Sequence, residues 1–175
     1  MSEKKFVLWL TGLSGAGKTT LAREINRRLK ELEIKSHHLD GDEVRAAAQE
    51  KLDFSREGRD KNIRLAIDMA ADYNKQDYAV VASFISPYEK HRQWGREKLE
   101  NYIEVFVDAS LELCESRDTK GMYKKARNGE IQFFTGIGDA YEPPAQPHVH
   151  LKTGEKSIEE CLAEIENYLT NNDLI

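Results

Sequence analysis

The chain has 175 residues, with 26 lysines and arginines against 31 aspartates and glutamates, and its formal net charge at pH 7 is −5. This length predicts one domain, residues 1–175, with a sizeable core. The acidic balance argues against sequence-independent binding of nucleic acid or of an anionic membrane, so we expect a small-molecule partner. Cys114 and Cys161 lack metal-site or disulfide-framework spacing, which favours a reducing compartment and the cytoplasm.

Predicted strands and helices alternate along the chain. An apolar run predicts a strand at 6–10, and runs rich in β-branched or aromatic residues predict strands at 78–85 and 103–107. Short strands are also predicted at 34–39 and about 149–151. The first run is too short for the apolar region of a secretory signal peptide. Parallel strands need crossover connections, so this order predicts a mostly parallel sheet covered on both faces by helices.

The predicted helices lie between these strands. Apolar residues at helical spacing indicate helices over 21–32 and 60–74, and Ser157 with Glu160 forms a capping box that opens a last helix. The connection at 141–147 contains three prolines and is predicted to be non-helical. The apolar side of the last helix is predicted to consist of Ile158, Leu162, Ile165 and Leu169.

Residues 12–19, Gly-Leu-Ser-Gly-Ala-Gly-Lys-Thr, match the phosphate-binding pattern G-x-x-x-x-G-K-[ST] directly after the first predicted strand. In this pattern, backbone N–H groups and the positive end of the following helix surround an anion. We expect Lys18 to reach the β- and γ-phosphates of a nucleotide and Thr19 to hold Mg²⁺. The fold class is therefore predicted to be an α/β three-layer sandwich of the P-loop NTPase type. The predicted ATP-binding residues are Gly12, Leu13, Ser14, Gly15, Ala16, Gly17, Lys18, Thr19 and Thr20.

Two carboxylates, Asp40 and Asp42, follow the second predicted strand and share its carboxyl end with the phosphate loop. Asp40 is predicted to serve Mg²⁺, partly through water, and Asp42 to accept a hydrogen bond from an attacking hydroxyl. The alternative for Asp42 is a helix N-cap. Asp108, after the fourth strand, is a rival magnesium ligand, although we favour a helix cap there.

A cluster of five positive charges at 117–129 stands out in this acidic chain. A solvated helix face is the ordinary explanation, but Gly121 and Gly129 bracket the segment as flexible joints. We therefore predict a lid that closes over phosphates and excludes water. Its basic residues are Arg117, Lys120, Lys124, Lys125 and Arg127.

Ser86 ends the third predicted strand and precedes Pro87, which favours an extended conformation at Ser86 and its display at the rim of the sheet. Its spacing alone ranks an ordinary strand-ending serine first, a substrate ligand second and a covalent phosphoryl acceptor third, since no histidine or lysine base lies nearby in sequence.

These motifs together resemble the adenylylsulfate kinases, which use ATP to phosphorylate the 3′-hydroxyl of adenosine 5′-phosphosulfate, and the resemblance covers nearly the whole chain. It rests on the phosphate loop, Leu-Asp-Gly-Asp at 39–42, and four later motifs. Those four are Phe54-Ser55 with Arg59 and Asn62-Ile63-Arg64, Phe-Ile-Ser-Pro-Tyr at 84–88, the basic segment at 117–127, and Phe-Thr-Gly-Ile at 134–137.

The resemblance implies roles for several residues. Arg45, Arg59 and Asn62 are expected to hold the phosphosulfate or its adenosine, and Phe54 and Phe134 to sandwich the adenine. Ile85, Ser86 and Pro87 are expected to line the site. The family marks the serine at the position of Ser86 as a phosphoserine intermediate, but we favour direct transfer. A homodimer is also implied.

The chain departs from the family pattern at Asp53, Gly58, Lys61 and Leu65, which spares the expected contact residues. Two alternative functions stay open at this point. One is a kinase for another small metabolite, and the other is a catalytically silent nucleotide-binding regulator.

Overall fold

A computed structural model describes residues 5–175, so residues 1–4 of the predicted domain lie outside the described residues. The strands are β1 (Val7–Thr11), β2 (Ser36–Asp40), β3 (Ala79–Ser83), β4 (Tyr102–Asp108) and β5 (Val149–Lys152). They form one parallel sheet in the order β2-β3-β1-β4-β5.

Helices cover both faces of this sheet. They are α1 (Lys18–Glu31), α2 (Gly41–Ala47), α3 (Arg56–Lys75), α4 (Glu89–Lys98), α5 (Leu111–Arg117), α6 (Met122–Arg127) and α7 (Ile158–Asn171). The apolar sides of α1 and α7 pack on one face, and α3 packs on the other. The predicted three-layer α/β fold is confirmed. Within residues 5–175, no helix combines the length and hydrophobicity that crossing a membrane requires.

The central strand β1 is buried along its whole length because both of its faces are covered. Successive side chains of a strand point to opposite faces, so Val7 and Trp9 pack towards α3 while Leu8 and Leu10 pack towards α1. A continuous apolar run is typical of such a doubly covered parallel strand. The sequence signal and the packing therefore agree here.

Several boundaries differ from the sequence-based expectation. The helix predicted over 60–74 is α3, and it begins at Arg56 instead of residue 60. Ser55 caps it by accepting a hydrogen bond from the Gly58 N–H at 3.1 Å. The helices α2 and α4 were not predicted. Helix α4 has no apolar periodicity to reveal it, since its buried residues are His91, Arg92 and Gly95.

The capping box of Ser157 and Glu160 at the start of α7 is confirmed. Of the predicted apolar side, Leu162, Ile165 and Leu169 are buried, but the assignment of Ile158 to the core is wrong. Ile158 is instead 51% exposed, and it lines the cavity described below.

We predict that Ile165→Ala lowers the free energy of unfolding by about 2–5 kcal/mol, since Ile165 is fully buried and the truncation leaves a cavity. Ile158→Ala is the matched control on the same helix and should change it by less than about 0.5 kcal/mol. Urea denaturation of both variants measures the difference. Equal losses in the two variants would contradict the assigned packing of α7.

Candidate active site

The parallel register brings the loops after three strands to one edge of the sheet. Leu10 pairs with Ser83 across β1 and β3, and Asp40 pairs with Ser83 across β2 and β3. The phosphate loop, the segment after Asp40 and the segment after Ser83 therefore leave the sheet side by side. They line one cavity of about 560 Å³.

The phosphate loop turns sharply between β1 and α1. A side chain at Gly12 would overlap the carbonyl oxygen of Val107, so only glycine permits this close approach. Of the nine residues predicted to bind ATP, residues 14–20 line the cavity. Gly12 and Leu13 lie behind them and contribute carbonyl groups that contact Lys18.

Lys18 is nearly buried beneath the loop, at 8% exposure. Its Nζ donates hydrogen bonds to the carbonyls of Gly12 at 2.9 Å and Leu13 at 2.8 Å. Burial lowers the pKa of the Lys18 ammonium to about 8. The lysine is therefore held by neutral dipoles, and a triphosphate in the loop would supply the missing negative charge.

Asp40 is a hydrogen-bond centre at the end of β2. Its Oδ2 accepts from the Thr19 hydroxyl at 3.0 Å and from the Ser83 hydroxyl at 3.2 Å. Its Oδ1 accepts from the backbone N–H groups of Asp42 at 3.0 Å and Glu43 at 3.4 Å. Burial acts to raise the pKa of Asp40, but the hydrogen bonds, led by that from the Asp42 N–H, outweigh it and hold the pKa below its ordinary value.

These contacts correct one sequence alternative, because Asp40 and not Asp42 is the N-cap of α2. Sequence reasoning also missed the contacts of Ser83 and His38 near Asp40. The Nε2 of His38 lies 2.8 Å from the Ser83 Oγ. The hydroxyl of Thr19 and the carboxylate of Asp40 form the oxygen donor set that Mg²⁺ prefers. Because both oxygens of Asp40 already accept hydrogen bonds, this carboxylate suits contact through metal-bound water.

Asp42 lies in the first turn of α2 with its carboxylate in solvent, where it forms an ion pair with Lys120. Lys120 belongs to the predicted lid. The structure therefore brings this lid cation directly to the carboxylate that was expected to orient the substrate hydroxyl.

The other basic residues of the predicted lid have different surroundings. Arg117 donates to the carbonyls of Gly15 at 3.0 Å and Thr153 at 3.2 Å, so it braces the back of the phosphate loop. Arg127 pairs with Glu115. Among these five basic residues, Arg117 and Lys120 line the cavity, whereas Lys124, Lys125 and Arg127 do not.

The two bracketing glycines have the conformations expected of joints. Gly121 and Gly129 both have positive φ, at 65° and 76°, and open space surrounds the position of a side chain at each. Closure of the segment between them stays a prediction.

The preferred assignment of Asp108 as a helix cap is wrong. Ser110 caps α5, with its hydroxyl accepting from the Leu113 N–H at 3.2 Å. Asp108 pairs with His150 at 2.8 Å on the neighbouring strand and lies outside the lining of the cavity. This position argues against Asp108 as the rival magnesium ligand.

The expected display of Ser86 at the rim is also wrong. Ser86 is 1% exposed, and its φ of 40° lies in the left-handed region instead of the extended one. Its hydroxyl accepts from Trp9 Nε1 at 3.0 Å and donates to the Phe84 carbonyl at 3.2 Å. The hydroxyl is therefore fully engaged in the core, although other atoms of Ser86 line the cavity.

The residues expected to bind the second substrate all line the same cavity as the phosphate loop. They come from α2, the 48–55 loop, α3, the segment after β3 and the loop that precedes the last strand. They are Arg45, Phe54, Arg59, Asn62, Ile85, Ser86, Pro87 and Phe134.

Arg45 and Arg59 are held by uncharged groups. Arg45 Nη1 donates to the carbonyls of Leu52 at 3.1 Å and Asp53 at 2.6 Å. Arg59 Nε donates to the Phe54 carbonyl at 2.8 Å. Neither guanidinium forms an ion pair with a carboxylate of residues 5–175, although Asp42 and Asp53 attract Arg45 and Asp139 attracts Arg59 electrostatically.

Asn62 adds a polar atom without a partner. It is 5% exposed, and its buried Oδ1 accepts no hydrogen bond from any described residue. Buried polar atoms are nearly always paired in folded proteins, so an unpaired acceptor in a cavity wall marks a position for a ligand donor.

Both aromatic residues of the expected sandwich line the cavity. Phe134 is 3% exposed and meets the Tyr123 ring edge-on at 5.0 Å, while Phe54 is half-buried with the Arg45 guanidinium 4.8 Å from its ring. Stacking of adenine between Phe54 and Phe134 stays a prediction.

Two of the departures from the family pattern are physically coupled. A side chain at Gly58 would overlap both the carbonyl and the carboxylate of Asp53. Asp53 in turn accepts from the Ser55 N–H at 3.1 Å and the Ser55 hydroxyl at 2.5 Å, which orders the start of α3. Of the other departures, Lys61 pairs with glutamates on the surface and Leu65 packs against the α3 side of the core.

Beside the phosphate loop, the cavity is also lined by residues that sequence reasoning missed. These residues follow β5 and belong to no motif, although the exposure of apolar Ile158 is a signal that only the structure reveals. They are Thr153, Lys156, Ile158 and Cys161.

Comparison with known proteins identifies the family. The family model described as "Adenylylsulphate kinase" matches residues 4–152. The chain belongs to the adenylylsulphate kinase family. Its activity is that of the family, the ATP-dependent phosphorylation of adenosine 5′-phosphosulfate.

Individual members of the family are similar over nearly the whole length of this chain. The adenylyl-sulfate kinase of Halothermothrix orenii is 48% identical over 174 residues, which cover 99% of this chain and 94% of that protein. An APS kinase of Mycobacterium tuberculosis, solved in complex with AMPPNP and APS, has a TM-score of 0.90 at 37% identity, covering 95% of this chain and 98% of that one. A hexameric APS kinase from Thiobacillus denitrificans has a TM-score of 0.75 at 27% identity, covering 99% of this chain and 30% of that one.

We predict that nucleotide binding to this kinase takes up a proton at Lys18. The free ammonium has a pKa of about 8, and a nearby triphosphate raises that pKa. At pH 8.5 the lysine is therefore mostly neutral before binding and charged afterwards, so affinity falls as pH rises through 8. Calorimetry of an ATP analogue in two buffers of different ionisation enthalpy measures the proton count.

Lys18→Arg is the matched control, because a guanidinium keeps its charge over this pH range. The variant should lose the proton uptake even where its affinity is reduced. The same uptake in both proteins at pH 8.5 would show that another group is responsible.

Proposed function

We propose that the protein transfers the γ-phosphate of ATP in one step to the 3′-hydroxyl of adenosine 5′-phosphosulfate, giving ADP and 3′-phosphoadenosine 5′-phosphosulfate. The observation that carries the proposal is the single cavity with the phosphate loop at one side and a second cationic end at the other. Asp40 contacts Thr19 of the phosphate loop, and Asp42 lies on α2 together with Arg45 of the second cationic end.

ATP occupies the phosphate-loop side in this proposal. Lys18 exchanges the carbonyls of Gly12 and Leu13 for the β- and γ-phosphates and stabilises the charge that develops during transfer. The wall after β5, with Thr153 and Ile158, is left for the nucleoside of ATP. This assignment is supported by the position of these residues behind the phosphate loop, where Thr153 donates to the Ala16 carbonyl at 2.7 Å.

Adenosine 5′-phosphosulfate occupies the other end. Arg45 and Arg59 provide several N–H donors for the weakly basic sulfate and the phosphate, and neither guanidinium forms an ion pair with a carboxylate of residues 5–175. The unpaired Oδ1 of Asn62 accepts from an N–H or O–H group of the nucleoside. Phe54 and Phe134 offer apolar surface for the adenine, where stacking contributes about 1–3 kcal/mol per base.

Asp42 orients the acceptor hydroxyl. It accepts the hydrogen bond of the 3′-hydroxyl and takes its proton as the bond from O3′ to the γ-phosphorus forms and the bond from that phosphorus to the ADP oxygen breaks. Lys120 leaves Asp42 for the transferring phosphoryl group as the 117–129 lid closes. The present ion pair supports this role because it brings Lys120 to Asp42, the proposed proton acceptor.

We propose Mg²⁺ as the metal of this site, with Thr19 as its ligand and Asp40 in contact through water. When bound, the metal neutralises charge on the β- and γ-phosphates. Asp40 orients the Thr19 hydroxyl by accepting its hydrogen bond, which leaves an oxygen lone pair of Thr19 for the metal.

Direct transfer is favoured over a phosphoserine intermediate by the surroundings of Ser86. Its hydroxyl is buried, donates to Phe84 and accepts from Trp9, so it would have to break both bonds before attacking phosphorus. No described side chain with a basic nitrogen contacts it to take its proton. Ser86 serves as a fixed part of the wall for the acceptor nucleotide.

We also propose that residues 1–175 act as one domain, that the protein is a cytoplasmic homodimer, and that its ligands are nucleotides instead of nucleic acid. The dimer rests on the family resemblance and the hexameric relative, which point to association between copies. Two free, buried cysteines support a reducing compartment.

The roles of Asp42 and Ser86 give opposite predictions. Asp42→Asn keeps the shape of the side chain but loses its capacity to take a proton, so kcat should fall by about 10²–10⁴-fold. Ser86→Ala loses the two hydrogen bonds of a buried hydroxyl that takes no part in direct transfer, so it should keep kcat within about tenfold. ADP release with adenosine 5′-phosphosulfate as acceptor measures both.

A covalent mechanism gives a different pattern. Complete loss of turnover in Ser86→Ala, together with labelled phosphate trapped on Ser86 of the unsubstituted enzyme at a competent rate, would contradict direct transfer. Release of ADP at the same rate with water and with adenosine 5′-phosphosulfate would contradict the proposed acceptor.

A further inference from the structure

Residues 85–87 line the acceptor end of the cavity with a backbone that their sequence disfavours. Ser86 has a φ of 40°, in the left-handed region that residues with a side chain rarely adopt. The residue before a proline normally prefers an extended conformation, and Ser86 precedes Pro87. Such a backbone persists only where the surrounding structure holds it in place.

The carbonyls on both sides of Ser86 are held from outside the segment. The Thr11 hydroxyl donates to the Ile85 carbonyl at 2.7 Å. The Glu142 N–H donates to the Pro87 carbonyl at 2.7 Å. The segment is therefore fixed at two points, one on β1 and one on the proline-rich connection.

The carbonyl of Ser86 itself is held by Arg92, a fully buried arginine in the first turn of α4. Arg92 Nη1 donates to this carbonyl at 2.8 Å, and Nη2 donates to the Glu142 carbonyl at 2.6 Å. Glu89 accepts from Nη2 at 2.7 Å, and Glu104 lies 3.8 Å from Nε. One guanidinium thus joins the strained segment to the connection that also holds Pro87.

This arrangement requires an arginine. A buried charge is costly unless it is paired and hydrogen-bonded, and Arg92 has both carboxylates and carbonyls around it. The planar guanidinium presents separate N–H groups to Ser86 and Glu142 at once, whereas a lysine ammonium is a single point on a flexible stem. The phosphoryl transfer described above uses neither the Arg92 guanidinium nor the carboxylates that surround it.

We propose that Arg92 is a positioning residue for the acceptor nucleotide: it holds Ser86 in the left-handed conformation and so sets the positions of Ile85 and Pro87 in the cavity wall. Arg92 itself touches no substrate. The inference rests on the proposed placement of adenosine 5′-phosphosulfate at this end of the cavity.

The main test compares Arg92→Lys with Arg96→Met. The lysine variant should raise the KM for adenosine 5′-phosphosulfate about tenfold or more and leave the KM for ATP within twofold. Arg96 lies on the same helix and contacts the same two carboxylates, Glu89 and Glu104, but not the Ser86 carbonyl, so its variant should leave both KM values unchanged. Equal changes in the two KM values of the lysine variant, or none, would overturn the proposal.

A second substitution tests whether Arg92 acts through the backbone conformation of Ser86. Glycine adopts positive φ without the cost that serine bears, so Ser86→Gly in the Arg92→Lys background should recover part of the lost acceptor affinity. A double variant no better than Arg92→Lys would overturn the proposed action through the Ser86 backbone. If Arg92→Lys does not fold, Arg92→Met with Glu104→Gln replaces it, because that pair removes both buried charges together.

Arg59→Lys separates this inference from the proposed placement. If the variant leaves the KM for adenosine 5′-phosphosulfate unchanged, the acceptor does not bind at this end and both proposals fail. If it raises that KM while Arg92→Lys does not, the placement stands and only the role of Arg92 is wrong.

Discussion

The parallel register of β2, β3 and β1 is the constraint on which the rest of the site depends. It aligns Asp40, Ser83 and Leu10 across three strands, so the loops that follow them must leave the sheet at one edge. Hydrogen bonds from Thr19 and Ser83 then meet on the Asp40 carboxylate and connect the three loops. A shift in this register would separate the phosphate loop from the acceptor wall, whatever the residues in either.

The charges of the cavity follow a common scheme. Lys18, Arg45 and Arg59 are each held by backbone carbonyls or a hydroxyl and not by carboxylates. Neutral dipoles keep a cation in place without cancelling its charge, so the countercharge arrives with the ligands. Two substrates that both carry phosphate or sulfate groups complete the electrostatics of this cavity, which explains why an acidic protein concentrates unpaired cations there.

Sequence reasoning reached the parts of this structure that are encoded locally. The phosphate loop is readable because its turn, its lysine and its helix are contiguous, and the capping box of α7 is readable for the same reason. The position of Ser86 was not readable, since its backbone departs from the conformation that Pro87 favours and its carbonyl accepts from Arg92, which lies on a helix that has no apolar pattern. The overlap of Asp53 with a side chain at position 58 likewise depends on a loop folding back, which a linear sequence does not display.

The stereochemistry at the transferred phosphorus tests the central claim most directly. Each displacement at phosphorus inverts its configuration, so ATP made chiral at the γ-phosphorus with oxygen isotopes reports the number of transfers. One in-line step between the two ends of the cavity predicts inversion in the 3′-phosphate of the product. Retention would reveal a second displacement through a phosphorylated enzyme group and would contradict the account.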